Sequence, residues 1–193
     1  MTKIKNIKKE LLSHNWYTLY KFTFDFQMNN GKWSTQMRES YDRGNGAAIL
    51  LYNKEKGTVI LTKQFRLPTY INGNSTGYMI EVCAGLLDDD NPEDCIKKEA
   101  VEETGYQIEK VHKVMEAYST PGSVTEKVYY FVAEYYEDMK VSEGGGLENE
   151  NEDIEVLELK FSKAIDMVNT GEIQDAKSII LLQYAQINKL LKI

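Results

Sequence analysis

The segment from Gly85 to Tyr106 constrains this chain more than any other. Asn91 can cap a helix, Pro92 suits the first helical position and Gly105 suits the stop. The C-terminal half of that helix carries Glu99, Glu102 and Glu103. Positions three and four apart share a helix face, so three carboxylates are crowded onto one stripe. Like charges at that spacing repel one another. Hard divalent cations such as magnesium take oxygen ligands, typically one or two carboxylates with water and substrate phosphates. The pattern therefore points to a metal site built on one short helix.

Around it the chain reads mostly as strands. Residues 16–27 alternate, with Trp16, Thr18, Tyr20, Phe22, Phe24 and Phe26 on one side. Asn29-Asn30-Gly31 is a turn, and residues 32–42 return as a second strand. Residues 47–52 and 58–64 form another hairpin, separated from the first by Arg43-Gly44-Asn45-Gly46. A short strand over 79–83 leads into Ala84-Gly85. Further strands are expected over 111–116, 128–135 and 154–161, with helices over 163–169 and 175–191. The acidic, glycine-rich stretch from Asp138 to Asp153 reads as a flexible loop. This order of strands and helices predicts an α+β fold of mixed layers.

Composition narrows the partners. A net charge of -7 argues against an electrostatic grip on nucleic acid, and opposes an anionic substrate unless cations intervene. The two cysteines, Cys83 and Cys95, form no disulfide framework and are expected to be buried thiols. No stretch approaches the roughly 20 apolar residues of a membrane helix, and the N-terminus lacks a secretory signal. The expected setting is cytoplasmic. His14 and His112 are isolated, so no Ser/His/Asp or Cys/His set can be assembled, and there is no zinc pattern or P-loop.

The glutamate helix resembles the Nudix box, G-x5-E-x7-R-E-U-x-E-E-x-G-U, where U is a bulky apolar residue. Lys98-Glu99-Ala100-Val101-Glu102-Glu103-Thr104-Gly105-Tyr106 matches its second half, with lysine in place of arginine. The first half is one residue shorter than the pattern, and Asn91 falls where its first glutamate is expected. Arg43-Gly44-Asn45-Gly46-Ala47, Cys83-Ala84-Gly85-Leu86-Leu87-Asp88, Pro121-Gly122, Gly144-Gly145-Gly146 and the 154–159 strand extend the likeness to the GDP-mannose pyrophosphatase branch of the Nudix hydrolases. The resemblance implies an α/β/α Nudix sandwich with a mixed sheet over residues 44–193. It implies an N-terminal antiparallel sheet over 1–43, exchanged between the subunits of a homodimer. It also implies magnesium, with manganese as the alternative, and cleavage of a nucleotide sugar, GDP-mannose, to GMP and mannose 1-phosphate.

The same resemblance carries roles onto residues. The carbonyl of Ala84 with Glu99, Glu102, Glu103 and Glu152 would hold metal. Glu148, Glu150 and Glu152 are all candidates for the base on a mobile loop, and counting back from Asp153 makes Glu152 the best match. Arg66, Gly85, Leu86, Glu126, Asn151 and Lys177 would contact the substrate, Arg66 by stabilising phosphate charge. Trp16, Met37, Arg38 and Glu39, from the partner's sheet, would clasp guanine: Trp16 by stacking and Glu39 by accepting from N1 and the exocyclic amine. Three rivals remain: an ADP-ribose pyrophosphatase, a non-catalytic nucleotide sensor on the same fold, and an acidic calcium module over Glu143–Asp153. The last lacks the D-x-D-x-D-G order of a calcium loop.

Overall fold

The computed structural model describes residues 3–147 and 151–192. The chain divides into two units, one comprising residues up to Asn45 with Ala117–Lys127, the other Gly46–Glu116 with Val128 onward. The first unit is a three-stranded antiparallel sheet of β1 (Ile4–His14), β2 (Thr18–Gln27) and β3 (Trp33–Asp42), in that order. The alternation over residues 16–27 produces β2, although Trp16 itself lies outside the strand and is 82% exposed. β1 is not legible in the sequence as a strand. Its pairing with β2 shifts register between Lys5 and Lys8 and again between Leu11 and Ser13, and Asn6 takes a positive φ. Such bulges break the period of two by which a strand is recognised. Lys9 lies over the Tyr20 ring at 3.5 Å, giving the aromatic face of β2 part of its cover. Residues 123–125 dock on β3 through Tyr41, whose N–H donates to Ser123 O and whose O accepts from Thr125 N.

The second unit is built on a mixed sheet. Its strands are β4 (Gly46–Asn53), β5 (Thr58–Phe65), β6 (Tyr78–Glu81), β7 (Cys83–Leu86), β8 (His112–Tyr118), β9 (Lys127–Glu134) and β10 (Glu155–Lys160). The order is β10-β5-β4-β9-β8, with β6 on β5 and β7 on β4. β4 and β9 run parallel, while β4 is antiparallel to β5 and to β7. Every residue of β4 is buried, as a continuous apolar run in a two-sided sheet requires. The helix α2 (Pro92–Glu99) packs on one side, where Ile96, Cys95 and Ala100 meet Ile49, Leu51, Phe131 and Tyr135. α3 (Phe161–Thr170) and α4 (Ala176–Ile187) bury Phe161, Ala164, Leu181 and Leu182, with α4 against β4. Burial of each large aliphatic side chain here contributes about 1.5–3 kcal/mol. Among the described residues no helix is long and apolar enough to cross a membrane.

Two departures from the expected elements lie around β5 and β6. The single strand expected over 79–83 is two strands, because pairing passes from β5 to β4 at Val82, whose N–H donates instead to Ser178 Oγ at 2.7 Å. A one-turn helix that the residue pattern does not announce, α1 (Leu67–Ile71), comes directly after Arg66.

Candidate active site

α2 begins as its residues dictate. The Asn91 side chain accepts from Glu93 N and Asp94 N, and Pro92 occupies the first turn. At Ala100 the helix widens into a π-type turn, Ala100–Thr104, ending at Gly105 with φ 79°. A π turn holds more than four residues, which alters the single stripe expected from α-helical spacing. Glu103, four positions after Glu99, stays with it on the face toward β7. Its Oε2 accepts from Ala84 N at 3.2 Å. The Glu99 carboxylate lies where a Cβ on Gly85 would stand, so any larger residue there would displace it. Glu102, three positions on, falls beside Lys98, with 3.8 Å between Nζ and Oε1.

Glu103 is 2% exposed. Burial above all, with the Glu99 and Glu152 carboxylates, pushes its pKa up to about 8, against hydrogen bonds from the Cys83 thiol and Ala84 N–H. Both cysteines are buried, as expected, and their thiols are pushed up chiefly by that burial, Cys95 to about 12. They are inert at neutral pH.

Described residues of the acidic loop make specific hydrogen bonds. Two of the last carbonyls of the glutamate helix are capped by the triple glycine: Gly145 N donates to Glu103 O at 2.9 Å and Gly146 N to Glu102 O at 3.0 Å. Gly144 lies so close to the Glu103 carbonyl that a side chain would overlap it. Glu152 packs on Gly146, and its Oε2 accepts from Leu147 N at 3.1 Å. The same residues that end the helix thus bring Glu152 within electrostatic reach of Glu103. Asn151, with φ 56°, is exposed beside it. Glu148 and Glu150 lie outside the described residues.

Two cations complete this unit. Arg66, at the end of β5, donates through Nε (3.0 Å) and Nη2 (2.6 Å) to Glu81 Oε2. Lys177, in the first turn of α4, donates to Asp175 Oδ1 at 2.7 Å. Burial works against the Arg66 charge, but the Glu81, Glu103 and Asp175 carboxylates outweigh it and raise its pKa. Sequence reasoning missed Glu81, Asp175 and Ser178. The available signal was an acid inside the apolar run Met79–Cys83, since carboxylates are almost never buried unless paired.

Leu86 ends β7, where its carbonyl accepts from Cys95 Sγ at 3.2 Å, and the remaining predicted residues belong to the other unit. Glu126 pairs with Arg43 at 3.5 Å. Trp16 and Met37 are largely exposed, Arg38 donates to Met37 O and Gln36 Oε1, and Glu39 is exposed on β3.

Among the described residues no three His, Cys, Asp or Glu side chains already stand in a coordinating arrangement. The donor set nevertheless fits a hard divalent ion. Burial and two neighbouring carboxylates make Glu103 costly to ionise even with Arg66 in electrostatic reach, and an oxygen-seeking cation would favour its charged form.

Comparison with known proteins agrees with this geometry. The pattern described as the GDP-mannose pyrophosphatase NudK N-terminal domain matches residues 3–41, and that of the NUDIX domain matches residues 42–180. A Yersinia enterocolitica protein named GDP-mannose pyrophosphatase is 58% identical over 190 residues, covering 98% of each chain. Proteins of the same name from Yersinia pestis and Pectobacterium atrosepticum are 58% and 57% identical over 186 and 179 residues. These cover 96% and 93% of this chain, and 93% and 92% of their own.

Proposed function

Because this chain belongs to the NUDIX family, we propose that it hydrolyses the pyrophosphate bond of a nucleoside diphosphate sugar, with GDP-mannose as substrate and GMP and mannose 1-phosphate as products. The observation that carries the reading is one unit in which buried Glu103, flanked by Glu99 and Glu152, stands within electrostatic reach of Arg66. The likeness of nearly the whole chain to proteins named GDP-mannose pyrophosphatase supports the choice of sugar nucleotide.

Nudix hydrolases generally need a divalent metal; magnesium is proposed here, with manganese as the alternative. The Ala84 carbonyl, Glu99, Glu103 and Glu152 would hold it, with Glu102 joining directly or through water. When bound, the ion supplies Lewis acidity to the phosphate oxygens and lowers the pKa of water. This chain's own groups do the rest. Ala84 N–H orients the Glu103 carboxylate. Glu152 accepts a proton from the attacking water. Arg66 offsets negative charge that develops on the phosphates, aided by low local dielectric, and Lys177 contacts the substrate. Gly85, Leu86, Glu126 and Asn151 contact the substrate in this reading. The chain acts as a homodimer in which Trp16, Met37, Arg38 and Glu39 of one subunit clasp the guanine held by the other.

The test is competitive hydrolysis of GDP-mannose and ADP-ribose with magnesium, followed by nucleotide chromatography. GMP should appear first, vanish with chelator, and fall at least about 100-fold in Glu103→Gln protein. Preference for ADP-ribose, or parental turnover in that variant, overturns the reading. Light scattering tests the dimer, and a clean monomer would remove it.

A further inference from the structure

Outside the carboxylate cluster, Glu81 and Asp175 are the buried acids among the described residues that the proposed chemistry leaves unused. They are 5% and 9% exposed. Glu81 engages one edge of the Arg66 guanidinium, its Nε and one hydrogen of Nη2, and leaves the Nη1 edge for another acceptor. Asp175 divides its two oxygens. Oδ1 accepts from Lys177 Nζ at 2.7 Å, and Oδ2 accepts from Ser178 N at 2.9 Å and Ser178 Oγ at 2.6 Å. Ser178 Oγ, fully buried, in turn accepts from Val82 N at 2.7 Å. Val82 adjoins Glu81 and lies two residues before Ala84. An unbroken run of hydrogen bonds thus ties the first turn of α4 to the strand segment that carries Glu81 and Ala84.

The charges alternate. Burial opposes the Lys177 ammonium, and the Glu81 and Asp175 carboxylates together outweigh it, while Arg66 opposes it too. Arg66 and Lys177 thus share the field of the same two carboxylates. Lys177 keeps two N–H donors beyond the one Asp175 occupies. Both cations therefore present unused donors from fixed positions, which reduces the ordering cost when a ligand binds.

We propose that Glu81 and Asp175 are positioning residues that hold Arg66 and Lys177 as one rigid cationic fork for the two phosphates of a nucleoside diphosphate, with Ser178 setting its register against the Ala84 strand. The substrate class rests on the proposed hydrolase activity; the fork itself rests on these hydrogen bonds.

Asp175→Asn tests it cleanly. Asparagine caps a helix as well as aspartate, so its oxygen keeps Ser178. Its amide then faces the Lys177 ammonium, donor against donor. GDP binding by calorimetry and GDP-mannose kinetics are measured together. Kd for GDP and KM should both rise about tenfold, with kcat within about threefold of the parent, in protein whose cooperative melt shows it folded. In a Lys177→Met background the same substitution should add nothing, because both act on one group. Glu81→Gln is read against Arg66→Met by GDP affinity alone. Unchanged GDP affinity in Asp175→Asn, or effects that multiply in the double variant, overturns the fork. A parent that binds GDP yet releases no GMP from GDP-mannose removes the hydrolase reading instead, and the fork is still judged on Kd.

Discussion

Gly85→Ala should separate folding from activity. The new methyl group would occupy the place of the Glu99 carboxylate. That carboxylate is the far end of a flexible side chain, so overpacking should cost near the bottom of its usual range, about 1 kcal/mol. Gly85 is paired with Ala47 inside a strand, where alanine recovers roughly 0.5–1 kcal/mol over glycine. The two nearly cancel, and the melting temperature should move by no more than about 2–4 °C. Glu99, however, must swing away from Glu103 and Ala84. Displacing such a group should cost about 10–100-fold in metal affinity or activity. The assay is GDP-mannose turnover titrated with magnesium, beside a thermal melt. The half-saturating magnesium concentration should rise and turnover fall while the melt barely changes. Parental magnesium dependence in a folded variant would show that Glu99 needs no such place.

Gly144→Ala should lower stability by about 2–5 kcal/mol, since alanine resists the left-handed conformation at φ 69° and its methyl group would overlap the Glu103 and Thr104 backbone. It should also deprotect the Gly145 and Gly146 amides in hydrogen exchange; retained protection would mean these glycines do not cap the helix. Glu81→Ala strands a half-buried guanidinium, and with Arg66 39% exposed the loss should sit at or below the low end of roughly 3–5 kcal/mol in chemical denaturation. A loss under about 0.5 kcal/mol would deny the pair any structural role. Glu158 accepts from Tyr135 OH, Lys56 and Thr58; burial raises its pKa but these bonds outweigh it, leaving it below the ordinary value. Its stabilisation is therefore present above the unfolded pKa of about 4.3 and lost as pH falls through the folded value. The melting difference between parent and Glu158→Gln should shrink from pH 6 to pH 3; a constant difference refutes the linkage.

The glutamate helix was legible because its start and stop are local: Asn91, Pro92 and Gly105 act within a turn of themselves. The hairpins were legible for the same reason. What was missed depends on distant chain. β1 hid behind two bulges. The split between β6 and β7 is set by Ser178, 96 residues along. The glycines of the acidic loop read as slack because composition reports freedom, whereas their use here is close approach to the carbonyls of Glu102 and Glu103. Glu81 and Asp175 went unread because ion pairing with a particular cation leaves no trace in spacing.

The widened turn at Ala100–Thr104 also bears on how such motifs are compared. A π turn amounts to one extra residue in an otherwise regular helix. Removing Val101 alone should restore regular winding, and because the wide turn already absorbs the extra residue, everything beyond it should keep nearly its place. Glu103, then three positions past Glu99, should still face Ala84. A one-residue gap here in an alignment is therefore no mark of a broken site, whereas the same gap in a regular helix would turn the carboxylate away by about 100°.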